Sequence, residues 1–485
     1  MEENRLVGGG GSSSARVNSG GEGSSLDTIL NVVNIAFGAG MLGLPYAIQG
    51  SGFVTGVIGL GIVLVWNFVC CSLLVELRHE LLRARNKAAL GSPLASEEGS
   101  PVSFAAVGSF AMGAAGTALV YVSVVVTLVG AAAAYFINAN ILLRETRFYV
   151  NPGLSDEAAM YVNTFIYMAI MYPLTCIKSL APLSRLSFPA IVALVAGFGV
   201  IIKLGLDMYG WPPLSEILHW DALYVPQTFH GFSGFFGVAV FSYGATIIIL
   251  EIQESMADTT EFVGALRTCM WIIWTSYSIL GGVALLIYQQ HGTVTDNIME
   301  ALPGGSAAEE PLRIFICVAT LFTYPLAMQP VCSIFDQALI RAGFGVVSSA
   351  AVVGGGYGAI EGGPGVSSLA QMPVDPYSAG TKANVAGQGA ELPPWMRYGL
   401  RAALVAFTGV CATSVPNFGV VVSLLGSFSV TLGSFVLPPL FHLAVFSERL
   451  TRGAIAADVV LFILGVVTCI FTTTSTALGV INGDF

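Results

Sequence analysis

The chain has 485 residues, of which 55% are hydrophobic and only 10% charged, where a soluble protein carries about a quarter charged residues. That balance excludes a soluble globular protein and predicts an all-α polytopic membrane protein surrounded by the lipid bilayer. A formal charge of -10 also argues against nucleic acid as a partner.

Residues 1–26 are polar, rich in Gly and Ser, and lack an apolar core. They are predicted to be a disordered cytoplasmic tail rather than a cleaved signal peptide. Apolar windows of about 20 residues mark spanning helices. Eleven are predicted, at 28–49, 53–77, 112–142, 157–178, 184–208, 231–253, 262–289, 312–339, 398–415, 418–446 and 455–479. The third is too long for one straight span, so its start is expected to be interfacial or tilted. Residues 209–230 form an external loop whose Trp211 and Trp220 suit the membrane interface. Residues 341–397, rich in Gly, Ser, Ala and Pro, are predicted to be a disordered cytoplasmic insertion.

Basic residues set the orientation. With the amino terminus in the cytoplasm, Arg5, Arg16, Arg78, Arg83, Arg85, Lys87, Lys178, Arg185, Arg267, Arg341, Lys382, Arg397, Arg401, Arg449 and Arg452 lie on the cytoplasmic side. Only Arg144, Arg147 and Arg313 lie opposite, and Lys203 stays inside the fifth window. This follows the positive-inside bias and places the carboxyl terminus outside or in a lumen. The eight cysteines show neither metal nor disulfide spacing and read as packing residues. No P-loop sequence is present, which argues against ATP-driven pumping.

Two windows are interrupted. In the first, Gly38-Ala39-Gly40 is followed by Gly43 and Pro45, residues that weaken a helix where lipid offers no replacement hydrogen bonds. Unwinding there would free the amides of Gly38, Ala39 and Gly40 beside the positive end of the next half-helix, a combination that binds a carboxylate. A kink or a small-residue packing face is the other reading. In the sixth window, Phe241-Ser242-Tyr243-Gly244-Ala245-Thr246 precedes Glu251-Ile252-Gln253-Glu254. Exposed carbonyls there would accept from an ammonium group. Amide donors on one helix and carbonyl acceptors on the other suit a zwitterion, which points to an amino acid.

Four stretches carry a family resemblance: Gly38 to Pro45; Phe241-Ser242-Tyr243-Gly244 with Glu251-Ile252-Gln253; Leu321-Phe322-Thr323-Tyr324-Pro325; and Val415 to Gly419, Leu424 to Ser427 and Leu437 to His442. With them the chain resembles the amino acid/auxin permease family of amino acid transporters, within the superfamily sharing the bacterial leucine transporter fold. The resemblance implies a LeuT-like 5+5 inverted repeat plus one extra helix. Its parts would be residues 27–208, the loop 209–230, residues 231–446 with the insertion, and 447–485. Substrate would sit between helices 1, 3, 6 and 8, at Phe37, Gly38, Ala39, Gly40, Phe241, Tyr243, Gly244, Ala245 and Phe322. Phe37, Phe241, Phe322 and Val125 would line an apolar pocket for a neutral substrate.

No cofactor is expected beyond a coupling ion, H+ or Na+. The resemblance assigns Asn34 and Thr323 to the cation; capping of freed backbone is the alternative. Glu251 would carry a proton, or anchor its helix end by pairing with Arg267 or Lys178. His442 reads as a packing histidine or a titrating one, Lys203 as an outward-snorkelling anchor with Asp207 as partner, and Glu76 and Asp336 as interface residues. The expected function is secondary active transport of amino acids by a monomer in the plasma membrane or a vacuolar or lysosomal membrane, and not an enzyme activity. An amino acid sensor signalling through cytoplasmic segments is the rival.

Overall fold

The computed structural model describes residues 24–91, 102–144, 146–150, 153–177, 187–213, 215, 217, 228–289, 294–301, 309–347, 390–415 and 417–482. The tail 1–23, most of the external loop, Lys178 and the heart of the insertion (348–389) lie outside the described residues, as do the side chains of Asn34, Ala39 and Phe322.

Helices occupy every predicted window. They are α1 Ser25–Ala36, α2 Leu44–Ser51, α3 Phe53–Gly91, α4 Phe104–Arg144, α5 Asp156–Thr175, α6 Ser187–Tyr209, α7 Phe229–Ser242, α8 Ile249–Glu254, α9 Phe262–Tyr288, α10 Glu309–Leu339, α11 Pro394–Ser414, α12 Phe418–Leu425, α13 Leu437–Phe446 and α14 Arg452–Asn482. Among the described residues, seven spans are long and apolar enough to cross a membrane. Several boundaries differ from expectation for local reasons. α3 runs well past residue 77 because Glu76 to Lys87 is built of good helix formers. α11 begins inside the predicted insertion, where a proline occupies its first turn. The ends of the insertion pair as an antiparallel ribbon, β1 Val346–Val347 with β2 Ala390–Glu391.

The helix of the third window starts before residue 112 and has two arms. At Met112–Gly113 the backbone leaves the helical region, with Gly113 at φ +61°, a conformation natural to glycine. The short arm from Phe104 folds back so closely that a Cβ on Gly116 would lie 2.1 Å from the Gly108 carbonyl oxygen.

The first and sixth windows share one construction: half-helix, 3-10 turn, half-helix. In the first, Ala39–Gly43 joins α1 to α2; in the sixth, Gly244–Ile248 joins α7 to α8. α1 packs on α8, and α2 packs on α7. Each leading half thus meets the trailing half of the other window, the relationship that an inverted repeat produces. α9 packs against α1 and α2, α4 against α10, α11 and α12, and α14 against α7 and α13. α1 is closed at its start by a capping box, in which Ser24 and Asp27 bond reciprocally. Those bonds from the Ser24 side chain and backbone hold the Asp27 carboxyl below its usual range.

The tenth window carries a third irregularity. Between α12 and α13 lie two successive π-helical turns, Gly426–Val430 and Leu432–Val436. Such turns widen a helix and re-aim its polar groups. Here they also bring backbone against backbone, since a Cβ on Gly426 would lie 1.7 Å from the Gly237 carbonyl oxygen of α7.

Candidate functional site

The two broken helices meet at their breaks. α1 ends at Phe37, and Gly38 turns extended with φ -99° and ψ -161°. A Cβ on Gly40 would lie 2.6 Å from Ser242 Oγ and 3.0 Å from the Phe241 ring. Gly40 is therefore required by close approach rather than by backbone conformation. The amides of Ala39 and Gly40 open a 3-10 turn and so have no preceding turn to donate into. Gly38 differs from the sequence-based expectation of three freed amides, because its N–H donates to the Ala36 carbonyl at 2.8 Å.

The second break is organised differently. Tyr243 sits at φ -88°, ψ 11°, in the bridge region open to any residue. A Cβ on Gly244 would make ordinary contact with Val430 at 3.5 Å. The Ala245 amide donates to the Tyr243 carbonyl at 2.8 Å. This break is held by side chains from other helices. On α3, Asn67 donates from Nδ2 to Thr246 Oγ1 at 2.8 Å and approaches the Tyr243 carbonyl at 3.4 Å. On α9, the Tyr277 hydroxyl lies 2.5 Å from the Ala36 carbonyl and 2.8 Å from the Ser242 carbonyl. One phenol thus ties together the last carbonyls of both leading half-helices. The rings of Phe37 and Tyr243 lie 6.2 Å and 5.4 Å from the Tyr277 ring.

One group at this junction is left over. The Tyr243 hydroxyl is buried and has no hydrogen-bond partner among the described residues. Buried hydroxyls are almost always bonded, so this one stands out at the junction.

The neighbouring wall comes from the tenth window. Val430 lies over Gly244, and a Cβ on Gly433 would meet both Ser123 of α4 and Ile247. Ser123 and Thr127 on α4 are taken up by Ser429 of the π turn, through bonds of 2.8 Å and 2.9 Å. On the other side of the first break, the Asp296 carboxylate accepts from the Gly419 amide at 2.8 Å, capping α12, and its carbonyl faces Gly43.

Phe37, Gly38, Ala39, Gly40, Phe241, Tyr243, Gly244 and Ala245 thus all lie at or beside the junction. The coupling-ion residues are more scattered. The Asn34 and Phe322 side chains lie outside the described residues. Thr323 donates to its own helix at Ala319, 3.2 Å away, in the manner of a backbone cap. Glu251 is exposed on α8, with its carboxylate towards the Phe104 amide. The ion pair at that end is made instead by Glu254 with Arg78 of α3, at 2.5 Å. Asp336 joins α10 to α11 through Arg401 at 2.9 Å. Lys203 and Asp207 are exposed, and no ion pair joins them among the described residues.

Sequence reasoning missed Asn67 and Tyr277, and placed Thr246 in the second break without giving it a role. For Asn67 a signal existed: a lone amide in an otherwise apolar window is a functional candidate by default. Tyr277 carried none, since tyrosine is ordinary at that depth.

Residues 21–478 match the family described as transmembrane amino acid transporter protein. The chain belongs to that family. It is 27% identical to the amino acid transporter AVT3A of Arabidopsis thaliana, covering 92% of this chain and 87% of the relative. It is 26% identical to the Arabidopsis thaliana amino acid transporter ANT1, over 94% and 93% of the two chains. The vesicular inhibitory amino acid transporter of Homo sapiens is 25% identical, over 90% of this chain and 72% of that one. A solved Na+-coupled sialic acid symporter, in a substrate-bound outward-open state, aligns with a TM-score of 0.50 at 12% identity. The alignment covers 96% of this chain and 91% of that one, a likeness of fold alone. This family member is a multi-pass membrane protein and a transporter, with the LeuT-like architecture of two crossed, interrupted helices.

Proposed function

We propose that this transporter moves neutral amino acids by secondary active transport, coupled to a proton or sodium gradient. One observation carries the reading: the two helix breaks are in contact, with opened amides at Ala39 and Gly40 and the unpartnered Tyr243 hydroxyl at the same junction. A substrate carboxylate would take the amides and the start of the following half-helix. The Ser242 carbonyl, which accepts from Tyr277, would offer its second lone pair to the ammonium group. Phe37 and Phe241 give the junction an apolar lining, which favours an uncharged side chain. Thr323 and Asn34 are the candidate sodium contacts, and Glu251 a candidate proton carrier.

Transport would proceed by alternating access, with substrate binding more tightly to one state than the other. The basic-residue bias supports a cytoplasmic amino terminus, and the apolar windows support eleven spans. The membrane is the plasma membrane or that of a vacuole or lysosome, and the protein works as a monomer.

The test is uptake of pooled labelled amino acids into proteoliposomes, with proton and sodium gradients imposed separately. Accumulation driven by one gradient supports the reading and names the ion. Thermal stabilisation by amino acids without uptake under either gradient would move this family member to the sensor class.

A further inference from the structure

One buried histidine is held between two carboxylates on two other helices. His442 of α13 is 4% exposed. Its Nδ1 lies 2.6 Å from Asp458 Oδ2 of α14, itself buried, and its Nε2 lies 3.1 Å from Glu76 Oε2 of α3. The Glu76 side chain is 63% exposed. An open carboxylate, a buried imidazole and a buried carboxylate thus stand in series.

Proton counting constrains this arrangement. Each contact needs one hydrogen between nitrogen and oxygen. A neutral imidazole has one N–H and one lone pair, so it satisfies one contact only. At the other, a lone pair would face a carboxylate. Both contacts together require one further proton, on the imidazole or on a carboxyl group. Among the described residues, α3 also brings His79 within electrostatic reach of Glu76, while Arg78 is engaged by Glu254 at 2.5 Å. α4 contributes apolar contact through Phe104 against Phe441, and the adjoining π turn Leu432–Val436 has no ionisable residue. Phe446 lies 4.7 Å from the imidazole ring. On α3 the Cys70 thiol is within electrostatic reach of Asp458, while Arg449 is engaged by Glu80 at 2.6 Å.

We propose that Glu76, His442 and Asp458, in place of Glu251, form the coupling-proton site of this transporter, an inference that rests on the transport reading above. Loss of the proton sets the imidazole lone pair against Glu76 and loosens α3 from α13; its return ties them together. α3 is also the helix whose Asn67 holds the second break. One rigid helix therefore carries both the proton contact and the contact with the proposed substrate junction, so occupancy of one biases the other.

The experiment uses the full chain in proteoliposomes, with a labelled mixture of alanine, glycine, proline and leucine. Internal pH is followed with a trapped dye. For one proton per substrate, a gradient of one pH unit drives about tenfold accumulation in the wild type. Glu76→Gln gives Nε2 of the histidine a donor without the extra proton. Its accumulation is expected to fall to about onefold, with a flat pH profile and no proton flux. His442→Gln should do the same; gel-filtration profile and thermal unfolding check its folding, and Glu76→Gln, at an exposed position, carries the test if it misfolds. Wild-type accumulation and pH profile in folded variants would overturn the site. So would wild-type accumulation driven by sodium and indifferent to pH, which leaves transport itself intact. Failure of the wild type to take up any of the mixture under either gradient would instead remove the transport reading, and the proton site with it.

Discussion

The hydroxyl of Tyr277 lies 2.5 Å from the carbonyl oxygen of Ala36, the last helical residue before the first break. The same hydroxyl is 2.8 Å from the Ser242 carbonyl, the last before the second. A phenol has a single proton, so it serves the two carbonyls in turn or shares itself between them.

Tyr277→Phe keeps the ring and removes the tie. Two buried carbonyls then lose a donor, at a cost of about 1–3 kcal/mol. A lower midpoint in thermal unfolding is expected, together with a KM for uptake raised about tenfold, since 1.4 kcal/mol is one decade. Unchanged values for both would show that the tie is incidental.

Gly40→Ala should separate the breaks. The new methyl meets Ser242 Oγ at 2.6 Å, and that hydroxyl is itself bonded to Val238 O at 2.8 Å. Strain of about 1–3 kcal/mol follows, and amino acid binding should weaken by roughly tenfold or more. Gly264→Ala is the control, because nothing lies within 4 Å of its Cβ position. Equal binding by the two variants would contradict the close approach.

Asn67 separates donor from shape. Asn67→Leu removes the donor to Thr246 at every pH. Asn67→Asp restores a donor only while its carboxyl is protonated, the form that burial favours. Uptake by the Asp variant should therefore rise as pH falls, measured relative to wild type at each pH. The Leu variant should stay low throughout. A flat ratio for the Asp variant would mean that Asn67 acts by packing alone.

Glu254→Ala strands the Arg78 guanidinium, whose side chain is 2% exposed against 32% for Glu254. A fully buried pair would lose more, but solvent at the glutamate screens the interaction, leaving a destabilisation of about 2 kcal/mol. Thermal unfolding in detergent measures it. Arg78→Met combined with Glu254→Ala should recover much of the loss, as no buried charge remains.

The sequence by itself determined the membrane class, the helical windows and the places where two of those windows break. Those features depend on local physics: apolar length against bilayer thickness, and backbone hydrogen bonds weakened by Gly38, Gly40, Gly43 and Pro45. The fold-back at Gly113, whose short arm precedes the third window, was not legible in the sequence. Tertiary structure alone decided that Gly40 faces Ser242, that Tyr277 spans both breaks, that the π turns of the tenth window wall the second, and that His442 stands between Glu76 and Asp458. Each joins residues on different helices. In an apolar helix nearly every face is acceptable to lipid, so hydrophobic pattern does not say which face turns inward. Close packing and the need to bond every buried polar group settle that, and both exist only once the helices are assembled.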